Sequence, residues 1–109
     1  MFYTYDQNNS GGDFILNDRV TYTVIIEADS PSQADLKAEE IGIYFNGCDD
    51  GRDCPCCGDR WYPKHDDDGT TTPEIYGKHP KKHNETFSKK GEAYCYVYYK
   101  DGNKETFVK

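Results

Sequence analysis

Val20-Thr21-Tyr22-Thr23-Val24-Ile25-Ile26-Glu27-Ala28-Asp29-Ser30-Pro31-Ser32-Gln33 runs from a strand pattern directly into a helix start. Val20, Tyr22, Val24 and Ile26 alternate with Thr21, Thr23 and Glu27, the period of a strand with one buried face; Ile25 alone departs from it. Ser30 then stands as N-cap and Pro31 at the first helical position, where no backbone N–H is needed. Gln33 is placed to reach back to the cap amide. Ala34, Ala38, Ile41 and Phe45 follow at spacings of four, three and four, which gathers them into one stripe, and Asn46-Gly47 supplies a stop. The spacing predicts a helix over about residues 31–46.

Working outward, Phe2-Tyr3-Thr4-Tyr5 reads as a short strand ended by the turn-forming residues Gln7 to Asp13. At the other end, Glu92 to Lys100 and Asn103 to Val108 flank Asp101-Gly102, a pair suited to a two-residue type I′ hairpin turn. This predicts a C-terminal hairpin over 92–108. Ala93, Cys95, Val97 and Tyr99 would share one face of its first strand, and Tyr94, Tyr96 and Tyr98 the other. The expected fold class is α+β: an antiparallel sheet of about four strands packed against one α-helix, with a zinc-binding loop after the helix.

That loop, residues 47–61, contains Cys48, Cys54, Cys56 and Cys57. Cys54-Pro55-Cys56-Cys57-Gly58 has the form of a zinc knuckle, a tight turn that brings two thiolates to one ion while its amides bond to the sulfurs. Cys48, Cys54 and Cys57 are candidate ligands of a structural zinc. Cys56 is preferred as the fourth over His65 or the distant Cys95. A disulfide, a redox dithiol and inert thiols are the competing readings. Cys95, inside an aromatic strand, reads as a small core residue. Asp49, Asp50, Asp53 and Asp59 flank the site but read as solvated loop charges, so no catalytic residue is assigned.

With 109 residues the chain has the length of one domain, and only 35% of them are apolar. Ten Tyr and five Phe must supply much of the core, and a thin core is commonly reinforced by a metal. The N-terminus lacks a basic region followed by an apolar run, and no stretch is long and apolar enough to cross a membrane. A cytoplasmic location follows as the expectation, and a reducing compartment with five Cys suits thiolates on a metal better than disulfides.

The net charge of −7 is unevenly placed. Residues 1–77 carry 5 Lys and Arg against 16 Asp and Glu, whereas residues 78–109 carry 8 against 4. The acidic part suits a basic partner, and Lys78, Lys81, Lys82, Lys89 and Lys90 with His79 and His83 form a local cationic cluster within a polar excursion at 63–90. A solvated, soluble surface is the preferred reading of both. The run Asp66-Asp67-Asp68 lacks a calcium-loop pattern. Asn8-Asn9-Ser10-Gly11-Gly12 fits neither nucleotide-binding glycine pattern and reads as a plain loop. Trp61 and Tyr62 read as a lid over the core.

Tyr3 to Gly12, Val24-Ile25-Ile26-Glu27-Ala28 and Gly47 to Trp61 together resemble small cysteine-cluster proteins encoded by tailed bacteriophages. The resemblance implies an infected bacterial cytoplasm as the setting and carries over no functional residue. The expected function is then a non-enzymatic, zinc-stabilised accessory protein that binds a host protein, as an inhibitor or adaptor. The alternative is a nucleic-acid or nucleotide-binding module that uses Tyr94, Tyr96 and Tyr98 with the Lys cluster. A metal-dependent enzyme is the third reading.

Overall fold

The computed structural model describes residues 1–9, 12–83 and 88–109. Two expectations fall partly outside these residues: Ser10 and Gly11 of the Asn-Gly loop, and residues 84–87 of the polar excursion. Among the described residues four strands, β1 (Phe2–Asp6), β2 (Thr23–Glu27), β3 (Ala93–Tyr98) and β4 (Lys104–Val108), form one sheet in the order β1-β2-β3-β4, with one α-helix, α1 (Pro31–Glu40), after β2.

The sheet is mixed, which corrects the antiparallel expectation. β1 pairs with β2 and β3 with β4 antiparallel, but the central pair β2–β3 is parallel, with Thr23 opposite Cys95 and Ile26 opposite Tyr98. Parallel neighbours need a long crossover, and the whole stretch from α1 to residue 92 provides it. A central strand in such a sheet is covered on both faces. Hence Ile25, which breaks the alternation, is as fully buried as Val24 and Ile26.

Each face carries its own core. Under α1 lie Tyr3, Tyr5, Val24, Ile26, Ala34, Ala38, Ile43 and Trp61. On the opposite face lie Phe2, Tyr22, Ile25, Ile75, Cys95, Val97 and Phe107. The polar excursion helps to close this second face. Phe2 and Thr70 exchange backbone hydrogen bonds of 2.7 and 2.9 Å, Thr4 donates to the Glu74 carbonyl, and Ile75 and Pro80 are buried.

The helix starts where the sequence places it and stops earlier. Ser30 Oγ accepts the Gln33 amide at 3.2 Å, but the Gln33 side chain takes the Asp29 amide rather than that of the cap. At the other end Ile41 caps the helix and Gly42 turns left-handed at φ 106°. Gly42 N–H then donates to Glu39 O and Ile43 N–H to Ala38 O, the paired bonds of a Schellman motif. Ile43 folds back under Ala38, so Ile41 and Phe45 pack against the core from the chain that leaves the helix.

The final hairpin also differs from its expected turn. Tyr99 N–H donates to Asn103 O and Gly102 N–H to Tyr99 O, and only Gly102 has positive φ (94°). The connection is a three-residue loop with a glycine bulge rather than a two-residue type I′ turn.

Zinc binding by the loop after the helix is not shown by the fold. Among the described residues no three His, Cys, Asp or Glu side chains are gathered as a metal site requires. Within the loop, the Asp53 and Asp59 carboxylates and the Cys48 thiol make hydrogen bonds. Among the described residues no helix is long and apolar enough to cross a membrane.

Candidate functional site

The Cys loop is anchored through Gly47. Its carbonyl accepts Arg52 N–H at 2.9 Å and Asp53 N–H at 3.0 Å, and the Asp53 carboxylate lies where a Cβ on residue 47 would stand. Asp53 is buried, contrary to its reading as a solvated charge. It accepts the Tyr44 hydroxyl at 2.6 Å and the Arg60 amide at 2.8 Å, and lies 3.5 Å from Arg60 Nε. Arg60 is buried as well and donates to Gln7 Oε1 at 3.0 Å and the Asp13 carbonyl at 2.6 Å. Gln7 in turn bonds both the amide and the carbonyl of Ile15 and the carbonyl of Thr21. One buried polar network therefore ties the Cys loop to the end of β1 and to the chain leading into β2.

A second set of bonds fixes the knuckle itself. Cys57 and Gly58 amides donate to Cys54 O at 3.1 and 3.2 Å, with Gly58 at φ 87°. Asn8, two residues past the end of β1, donates to the carbonyls of Cys57 (2.8 Å) and Asp59 (3.1 Å). The polar groups of Cys56, its backbone amide foremost, and of Cys57 hold the pKa of the Cys54 thiol below the ordinary thiol value. Cys48 behaves oppositely. Its half-buried thiol contacts the Cys54 carbonyl at 3.5 Å, and loss of solvent together with the Asp59 carboxylate pushes its pKa up to about 11.

The structure thus brings Cys54, Cys56 and Cys57 into one turn and Cys48 against its carbonyl. Cys56 and Cys57 are exposed. His65 caps a short 3₁₀ turn at Asp66–Asp68, and Cys95 is fully buried in the core opposite α1, where burial raises its thiol pKa. Asp49 and Asp50 are exposed, whereas Asp59 accepts the Cys48 amide at 2.9 Å.

The chain belongs to the DUF7296 family, a domain of unknown function. The match spans residues 1–109. No curated protein and no solved structure matches it. Membership in DUF7296 assigns no activity and contains no link to bacteriophages or to cysteine clusters.

The tyrosines of β3 are arranged differently from a base-stacking platform. Tyr94 and Tyr96 are buried, and the hydroxyls of Tyr94, Tyr96 and Tyr98 donate to the carbonyls of Pro80, Asn17 and Arg19. The Lys104 ammonium covers the Tyr96 ring at 3.9 Å from its centroid. Lys78, Lys81, Lys82, Lys89 and Lys90 are exposed, while the His79 ring packs edge-on against Phe107. Trp61 is buried beneath α1, in keeping with a lid, and Tyr62 remains exposed.

Two features escaped the sequence reading: the buried pair Asp53 and Arg60, and the role of Gln7. Their signal was faint, since a charged residue in a Cys-rich loop looks solvated unless its partner is known.

Proposed function

We propose that this DUF7296 domain is a small non-enzymatic binding protein whose Cys loop is stabilised by one structural zinc ion, and that it docks on a basic protein partner in a bacterial cytoplasm. The observation that supports the metal is the tight turn Cys54-Pro55-Cys56-Cys57-Gly58, closed by the Cys57 and Gly58 amides on the Cys54 carbonyl at 3.1 and 3.2 Å, which gathers three thiols into four residues. Such a turn can present thiolates to one ion, and the donors on Cys56 and Cys57 that lower the Cys54 thiol favour the deprotonated form a metal ligand needs. Cys48 and Cys56 complete the proposed ligand set. Cys48 must give up its thiol contacts with the Asp59 carboxylate and the Cys54 carbonyl to join it.

A basic partner is favoured by the acidic excess over residues 1–77 and by the exposure of Asp49, Asp50 and Asp66–Asp68. The phage setting comes from the sequence resemblance, and a host protein is the corresponding partner. Native mass spectrometry of protein purified without added metal tests the first half. The expected mass excess is one zinc ion, lost on chelation together with the folded charge states; a folded protein with free thiols and no metal overturns it. For the second half, the zinc-loaded protein is used as bait in bacterial lysate. A basic protein retained at low salt and released as salt rises is expected, and an eluate without any retained protein refutes docking.

A further inference from the structure

Asn46-Gly47 leads into the Cys loop, and among the asparagines of the chain Asn46 is the one that precedes a glycine. The fold demands both residues, for separate reasons. Asn46 sits in the left-handed region at φ 59°, which Asn enters more readily than most side chains. Residue 47 must be glycine because the Asp53 carboxylate and the Tyr44 ring fill the space of a Cβ. Conformation and packing thus put together the dipeptide in which an asparagine side chain meets least hindrance from the residue that follows it.

The Asn46 side chain is exposed and makes no hydrogen bond among the described residues. Asn8, Asn17 and Asn103 differ from it: Asn8 and Asn103 donate through Nδ2, and Asn17 accepts through Oδ1. Gly47 N–H likewise has no acceptor among the described residues. The carbonyls on either side of it are engaged, Asn46 O by the Asp50 amide at 3.1 Å and Gly47 O by the Arg52 and Asp53 amides. A carboxamide and a backbone nitrogen, neither with a hydrogen bond to break, therefore stand on adjacent residues.

We propose that Asn46-Gly47 is a self-modification site, at which the chain deamidates through a cyclic imide and so unfastens the Cys loop. Gly47 N–H gives its proton to hydroxide, the nitrogen attacks Asn46 Cγ, and the Cγ–Nδ2 bond breaks; the leaving nitrogen takes its proton from water and departs as ammonia. Water then adds to one of the two imide carbonyls, and the bond from that carbon to nitrogen opens. Opening at Cγ leaves aspartate, and opening at the α-carbonyl leaves isoaspartate. The sum is one carboxamide and one water converted into one carboxylate and one ammonium ion, with water as the only co-reactant.

In isoaspartate the main chain runs through Cβ and Cγ and is one carbon longer, and the carbonyl that accepted the Asp50 amide has become a free carboxylate. Gly47 is thereby displaced from Asp53, whose amide it binds and whose carboxylate packs against it. Because Asp53 also holds Tyr44 and Arg60, the displacement reaches the buried network. The inference goes beyond the binding role and uses neither the metal nor a partner.

The full chain, as purified, is kept in heavy-oxygen water at mildly alkaline pH and sampled by peptide mass mapping. Residue 46 should lose its amide and gain one heavy oxygen at least about tenfold sooner than Asn8, Asn17 or Asn103, a margin set by the hydrogen bond that each of those must break. Resistance to an aspartate-specific endoprotease identifies isoaspartate, and anion exchange separates the aged forms. The isoaspartate form should melt below both the wild type and Asn46→Asp, which carries the same charge on an ordinary backbone. Asn46→Gly, at ease with positive φ, should keep its melting temperature through the same incubation. An Asn46 carboxamide that stays intact, an isoaspartate form that melts with Asn46→Asp, or a drift in Asn46→Gly equal to that of the wild type would each overturn the proposal. Any of these leaves the zinc and bait experiments to stand or fall by themselves.

Discussion

At the scale of single residues, the most consequential pair is Asp53 and Arg60, since each is buried and they form an ion pair at 3.5 Å inside one hydrogen-bonded network. Removing one charge from a buried pair leaves its partner uncompensated. Arg60→Ala should therefore cost about 3 kcal/mol in a denaturant melt, and Asp53→Ala a comparable amount, whereas the double variant should lose less than their sum. Gly47→Ala reaches the same network by another route, because the added methyl would collide with the Asp53 carboxylate. Trp61 makes a contrasting case. Its indole N–H is buried without a hydrogen-bond partner among the described residues, so Trp61→Phe should lose volume but no hydrogen bond described there, while Trp61→Ala opens a cavity costing about 3–5 kcal/mol. The Cys residues were legible because four lie within ten positions of sequence. The carboxylate that anchors them was not, because its partners Tyr44 and Arg60 come from either side of the loop and meet only once it has closed.

At the scale of elements, local signals proved readable wherever a side chain bonds its own neighbourhood. Ser30, Pro31 and Gln33 start α1 where the capping pattern puts it, and Ser30→Ala should lower stability by about 1 kcal/mol. The stop was misplaced because a helical stripe continued past it: Ile41 and Phe45 are apolar at the right spacing but reach the core from non-helical chain. Gly42 carries the true stop. With φ at 106° any side chain is strained there even though the space is open, so Gly42→Ala should cost about 1–2 kcal/mol by thermal unfolding. Gly42→Asn should recover part of that loss, since Asn enters positive φ more readily than Ala. The parallel pairing of β2 with β3 was hidden for a different reason. Strand direction depends on how a crossover of more than sixty residues returns, and the only local trace was the unbroken apolar run Val24-Ile25-Ile26, the mark of a strand buried on both faces.

At the scale of the whole molecule, a core poor in Leu and rich in Tyr has a consequence for stability at high pH. Tyr5 lies beneath α1, its hydroxyl donating to Asp35 at 2.6 Å, and burial first and that carboxylate second raise its pKa far above the ordinary phenol value. Burial likewise raises Tyr44, Tyr94 and Tyr96, and pushes Tyr98 and Tyr99 up to about 12. A phenol in the unfolded chain ionises near its ordinary pKa of about 10. Below that pH both states keep their protons and stability is undiminished. As pH rises from about 10 towards 12 the unfolded chain releases phenolic protons that the folded one retains, so each such tyrosine subtracts from stability over that window. Because these rings sit in both cores, ionisation and unfolding should occur together. Phenolate absorbance and far-ultraviolet circular dichroism should change in one steep, coincident transition above pH 10. Tyr98→Phe and Tyr99→Phe, which remove titrating groups from β3 and the residue after it, should shift that transition to higher pH while leaving the ring contacts in place. A gradual rise in absorbance with the circular dichroism unchanged to pH 12 would show instead that the phenols ionise within the folded chain, and that the tyrosine core is open to hydroxide without coming apart.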